Sequence, residues 1–143
     1  MRGADIKQVE MLVAFSLEDR VPADHPLRTI RRLVDESLHA MSGVLTTMYS
    51  HTGRPSIPPE RLIRALLLQV LYSIRSERQL VEQLDYNLLY RWFVGLGMDE
   101  TVWDATSFTR NRQRLIDADA GRALGHTVMQ VAIDGKAAGL IGG

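Results

Sequence analysis

Cysteine is missing altogether from this chain of 143 residues. That excludes a disulfide scaffold and any thiolate metal site, and it suits a reducing compartment. Long apolar runs are missing too. The best, Ala65 to Tyr72, is interrupted by Gln69 and falls far short of the roughly 18 residues that a membrane helix needs. The start, Met1 to Glu10, is polar, and Met11 to Leu17 is short with no small-residue cleavage site behind it. Neither a secretory signal nor membrane contact is expected, and the cytoplasm is the expected location. The four histidines, His25, His39, His51 and His126, are scattered, with no H-x-x-x-H spacing, so neither a metal site nor a cofactor is expected. Phosphate-binding, nucleophile-elbow and zinc-protease signatures (G-x-x-x-x-G-K, G-x-S-x-G, H-E-x-x-H) are absent. Net charge is zero, which argues against a strong non-specific nucleic-acid binder. Lysine is scarce: of 17 cationic residues only Lys7 and Lys136 are lysines. Arginine suits bidentate phosphate and guanine contacts. A GC-rich genome accounts for the same bias.

What the sequence does have is helical periodicity, with no alternating apolar–polar run bounded by turn signals. A first helix is expected from Pro26, capped by Asp24, with Leu27, Ile30, Leu33, Val34, Leu38 and Met41 on one face, weakening at Ser42-Gly43. Tyr49 to Pro59, with three prolines and a glycine, reads as a loop. A second helix, Pro59 to Ile74, carries the widest apolar face, and Leu66, Leu67, Val70 and Leu71 are expected to be almost fully buried. Ser76 with Gln79 makes a capping-box pattern that opens a third helix through Asp85. Asn87 caps a fourth, Leu88 to Val94, ended by Gly95 and Gly97. A fifth begins after Asp104 or Thr106 and ends near Ile116, and a sixth runs from Asp119 to Lys136. The expectation is an all-α fold, a compact bundle of about six short helices, over residues 21–138, with an amino-terminal arm at 1–20 and a frayed tail at 139–143.

The segment Thr106-Ser107-Phe108-Thr109-Arg110-Asn111-Arg112-Gln113-Arg114-Leu115 carries the most chemistry. On a helix, Arg110 and Arg114 share a face, with Asn111 adjacent and Gln113 near Arg110, while Phe108 and Leu115 point inward. Arginine can bond guanine O6 and N7, asparagine and glutamine can bond adenine, and Thr106 and Ser107 at the helix start can hold a phosphate. The glycine-containing turn Gly95 to Asp99 makes a helix-turn-helix-like element conceivable. A solvated basic face is the plainer alternative. Arg75 with Arg78, and Arg61 with Arg64, are further i,i+3 pairs, for which intrahelical salt bridges to Glu60, Glu77 and Glu82 are the commoner explanation. Trp92, Phe93 and Trp103 read as packing residues, and Gly53-Arg54-Pro55 as a structural turn. Asp134, before Gly135, continues a helical pattern, and one carboxylate cannot hold two metal ions.

Five stretches in order carry a resemblance. They are Val21-Pro22-Ala23-Asp24-His25-Pro26-Leu27-Arg28, Thr52-Gly53-Arg54-Pro55-Ser56-Ile57-Pro58-Pro59-Glu60, Tyr72-Ser73-Ile74-Arg75-Ser76-Glu77-Arg78-Gln79-Leu80, Leu84-Asp85-Tyr86-Asn87-Leu88-Leu89-Tyr90-Arg91-Trp92-Phe93 and Asp104-Ala105-Thr106-Ser107-Phe108-Thr109-Arg110-Asn111-Arg112. Together they resemble the amino-terminal domain of IS-five-like (InsH-type) bacterial transposases. The resemblance implies a helical domain that binds the element's terminal inverted repeats, and the residues offered above as contacts to that double-stranded DNA are Thr106, Ser107, Arg110, Asn111, Gln113 and Arg114, with Arg75 and Arg78. It also implies a following RNase-H-like domain whose Asp, Asp and Glu hold catalytic metal ions. The chain stops where that domain would begin, and Asp134 matches none of the three. The expectation is a truncated DNA-end-binding fragment that is not an enzyme, with the chain itself or an intact transposase as a further partner. A helical dimerisation module and an inert remnant are the alternatives.

Overall fold

The computed structural model describes residues 17–52 and 56–137, and every regular element among them is an α-helix. The expected Gly53-Arg54-Pro55 turn, the tail 139–143 and most of the arm lie outside the described residues. Residues 17–20 are helical and lead into α1, Pro26–Ala40. The cap of α1 is His25 and not Asp24, because Pro26 already occupies the first turn. The His25 imidazole Nδ1 accepts the Leu27 N–H at 3.1 Å. Leu27, Ile30, Val34 and Leu38 form its buried stripe at i, i+3, i+7 and i+11.

α1 ends at Ala40 with Met41 as its cap, and Ser42-Gly43, expected to weaken the end of α1, instead open a second helix, α2 (Ser42–Thr52), which runs into the loop expected from Tyr49. Thr46 and Thr47 donate their hydroxyls back to the Ser42 and Gly43 carbonyls. The segment has no continuous apolar stripe, with Leu45 its buried described side chain. Periodicity therefore gave no signal for it.

The central helix is α3, Pro59–Leu71. It stops three residues earlier than expected, because Ser73 turns into the left-handed region at φ 54° and Ile74 N–H bonds back to Gln69 O. Leu62, Ile63, Ala65, Leu67, Leu68 and Leu71 are buried, as expected for Leu67 and Leu71. Leu66 is only half-buried, however, and Val70 is 40% exposed. The neighbours of α3 enclose it on most sides, and the gap they leave falls along the i,i+4 stripe of Leu66 and Val70.

The short helices follow their caps. Ser76 accepts Gln79 N–H at 3.1 Å to open α4, Glu77–Tyr86. Asn87 gives its own N–H to Gln83 O at the end of α4, and its side chain accepts Tyr90 N–H to open α5, Leu88–Val94. Gly95 closes α5 at φ 97°, where a Cβ would be strained. Asp104 opens α6, Ala105–Asp117, and α7 runs Asp119–Ala137. The last helix touches α1, α2, α3 and α6. Its buried positions Gly121, Val128, Ala132 and Gly135 are mostly small, which lets the helix backbones approach closely. Asp134 sits within α7, exposed and bonded to Gln130.

Several arginines tie this bundle together over long sequence distances. Arg64 bonds Asp35 of α1 at 2.7 Å and reaches Val94 O, and Arg61 bonds Glu100 at 2.7 Å and Gly95 O at 2.9 Å. These are clamps between elements, not the intrahelical pairs expected from the i,i+3 spacing. Arg91, only 3% exposed, points its guanidinium at the carbonyls of Leu84, Asp85, Gly97 and Glu100. It joins the end of α4 to the loop after α5 through those carbonyls.

Candidate nucleic-acid interface

Helix α6 is built by one cap and one buried stripe. The Asp104 carboxylate accepts Ser107 N–H at 2.9 Å, and its hydrogen bonds to Ser107 hold it below its ordinary pKa. Phe108, Asn111 and Leu115 form the inward stripe, and Trp103 stacks on Phe108 with ring centroids 6.2 Å apart. Thr106, Thr109, Arg110, Gln113, Arg114 and Asp117 are left on the outside.

The candidate DNA residues divide accordingly. Arg110 and Arg114 are exposed and lie one helical turn apart on the outer face, as the spacing required. Gln113 is exposed beside them and donates to Asp117 at 2.9 Å. Thr106 is exposed at the first turn, while Ser107 is half-buried with its N–H taken by Asp104. A phosphate at this helix start would meet the Asp104 carboxylate, which already fills the cap. Asn111 is a correction: it is 6% exposed and faces inward, so it is not on the outer face. Its Nδ2 donates to Ser56 Oγ at 2.9 Å and Ser107 O at 2.7 Å, and its Oδ1 accepts Ile57 N–H at 3.4 Å. It pins the 56–57 segment to α6.

Arg75 and Arg78 are exposed at the start of α4. Glu77 between them pairs with Arg112, which brings the start of α4 beside α6. Arg75, Arg78, Arg110 and Arg114 are all exposed, as are Asp104 and Asp117 at the two ends of α6. The turn at Gly95 to Asp99 does not join two helices packed as a pair, since α5 lies chiefly on α3 and α4, whereas α6 lies chiefly on α7, α4 and α3.

A second polar cluster escaped the sequence reading. Trp92 donates its indole N–H to Glu18 at 2.6 Å, and the Arg28 and Arg31 guanidiniums lie 4.9 and 4.5 Å from its ring centroid. Arg28 also bonds Glu18 Oε1, Glu18 O, Val21 O and Pro22 O, so it fastens residues 18–22 to α1. These bonds, Arg28 first and Trp92 second, hold the Glu18 carboxyl below the usual range. The contacts span up to 74 positions in sequence and leave no local pattern to read. Among the described residues no three His, Asp or Glu side chains converge as a metal site would require.

Among the described residues the domain is all-α, with Arg110 and Arg114 exposed on α6 and Arg75 and Arg78 exposed at the start of α4. Over residues 15–114 the chain matches the family described as Transposase domain (DUF772), and it belongs to that family. The match ends within α6, so α7, which packs across four other helices, lies beyond it. No curated protein and no solved structure matches the chain.

Proposed function

We propose that this protein binds double-stranded DNA through the outer face of α6 together with the start of α4, and that the DNA is the terminal inverted repeat of an insertion element. The observation that carries this reading is the outward pair Arg110 and Arg114 on α6, with Arg75 and Arg78 also exposed at the start of α4, on a chain of the transposase-domain family. None of these four side chains is spent on a neighbour among the described hydrogen bonds and ion pairs. Arg110 and Arg114 with Gln113 supply base-edge or phosphate contacts, and Arg75 and Arg78 supply phosphate contacts. Asn111 contributes indirectly, by fixing the register of α6 on the 56–57 segment. In this reading the chain needs no cofactor and recognises DNA without cutting it, since strand transfer with two metal ions requires several converging carboxylates.

The test is binding to a randomised duplex library, followed by titration of the selected sequence at two salt concentrations. Arg110→Ala with Arg114→Ala should abolish the selected preference or reduce affinity on every duplex. Each lost phosphate contact should lower the salt slope by about one. A lost guanine contact should cost on the order of 1–3 kcal/mol at a single position. Arg32→Ala, an exposed change on α1, is the control. A double variant that binds as tightly as the parent at both salts would remove α6 from the interface.

A further inference from the structure

A polar cleft of about 440 Å³ opens between the turn after α3, the first turns of α4 and Tyr90 of α5. Tyr72 and Tyr90 form one side, with ring centroids 5.1 Å apart and planes tilted by 41°. Burial raises the pKa of both phenols, so both stay neutral hydrogen-bond donors at physiological pH. Neither hydroxyl bonds a protein group among the described residues. Gln83 is a fixed wall: its Nε2 donates to Tyr86 and its Oε1 accepts from Asn87. Gln79 and Glu82, one turn apart on the α4 face of the cleft, have side chains with no described partner. Ser73, also lining the cleft, holds the left-handed backbone conformation that sets Tyr72 at the turn.

The chemistry inside and outside this cleft differs. Inside are flat aromatic surface, hydroxyls, two amides and one carboxylate, which would repel a phosphate. Outside, Arg75 follows the lining residue Ile74 and Arg78 precedes the lining residue Gln79, and both are exposed. A ligand that is flat and donor-bearing at one end and anionic at the other fits this order, and a nucleotide has that form. Among the bases, guanine presents two adjacent donors, N1–H and N2–H, that match the two oxygens of a carboxylate. Adenine and cytosine place an acceptor nitrogen beside their amino group, and thymine has a single donor between two carbonyls. We propose that this cleft holds an unpaired guanine of the bound DNA, its edge on Glu82 and its attached phosphates on Arg75 and Arg78. The inference rests on the DNA-binding reading above and adds to it a site for a base taken out of the stack.

The experiment is fluorescence anisotropy with labelled ten-residue oligothymidines carrying one central guanine, hypoxanthine or adenine, beside the selected duplex as a separate arm. Guanine should bind about tenfold tighter than adenine, with hypoxanthine, which lacks the N2 amine, in between. Glu82→Gln, an exposed change that should leave the melting curve unmoved, should erase the ranking without weakening plain oligothymidine. Tyr72→Phe should weaken the guanine oligomer alone. Equal affinity for all three oligomers, with duplex binding intact, overturns the cleft assignment and leaves the α6 reading standing. No binding to duplex or single strand overturns both. A guanine preference that survives Glu82→Gln overturns the carboxylate's role. Competition by N-acetylarginine amide that is lost in Glu82→Gln, without any base ranking, would give the cleft to a cationic side chain instead.

Discussion

Asn111 offers the sharpest test of how position decides role. Its residue type and its place between Arg110 and Arg112 suit an adenine contact, yet its side chain is 6% exposed and committed inside. Asn111→Ala removes two well-formed hydrogen bonds, at 2.7 and 2.9 Å, and a longer one at 3.4 Å. The short bonds contribute about 1 kcal/mol each. The Ile57 N–H, in a residue 1% exposed, would lose its acceptor, and a buried orphan of this kind costs about 1–3 kcal/mol. The total is on the order of 3–5 kcal/mol, a large part of the 5–15 kcal/mol typical of a whole domain. Urea denaturation should report that loss, and a thermal scan should fall by on the order of 10 °C. Duplex binding measured well below the new midpoint should keep the parent's base preference. The reasoning is refuted if Asn111→Ala melts within 1 kcal/mol of the parent while changing preference at one base position.

Three further outcomes follow from the same structure. Arg91→Met keeps the aliphatic stem but strips the donors from four backbone carbonyls, so it should cost about 3 kcal/mol or more by urea denaturation; a loss below 1 kcal/mol would mean those carbonyls are already solvated. Leu67→Ala, at a fully buried site, should cost about 2–5 kcal/mol, whereas Val70→Ala, at a position 40% exposed, should cost less than about 1 kcal/mol; equal losses would mean the exposed stripe of α3 is covered in solution. Glu18 is held below the usual range first by Arg28 and then by Trp92, and Glu100 first by Arg61 and then by the Gly97 N–H. Lowered folded-state values stabilise above the ordinary glutamate range and lose that effect as pH falls through it, so the melting temperature should drop in acid, by a small amount because both groups are largely exposed; Glu18→Gln should flatten part of that drop, and an unchanged acid limb would refute the Glu18 contribution.

Local signals determined much of this protein in advance. Ser76, Asn87 and Asp104 cap the helices that they precede in sequence, because a side-chain oxygen reaches an N–H only two or three residues on. Gly95 ends α5 for an equally local reason, its positive φ. The inward stripes of α1 and α6 and the outward placement of Arg110 and Arg114 follow from 3.6-residue periodicity alone. The all-α class was legible for the same reason, and so was the relation to transposases, through stretches spread along the chain. Helix α2 was not legible, since it lacks an apolar stripe, and Val70 was misplaced because burial depends on which neighbours close around α3. The tertiary structure alone decided what the polar side chains with distant partners do. Asn111 meets Ser56, Arg64 meets Asp35, Arg91 meets the loop at 97–100 and Trp92 meets Glu18, each across a fold in the chain. Hydrogen-bonding capacity is written in a residue's type, but its partner is set by packing, and packing is non-local.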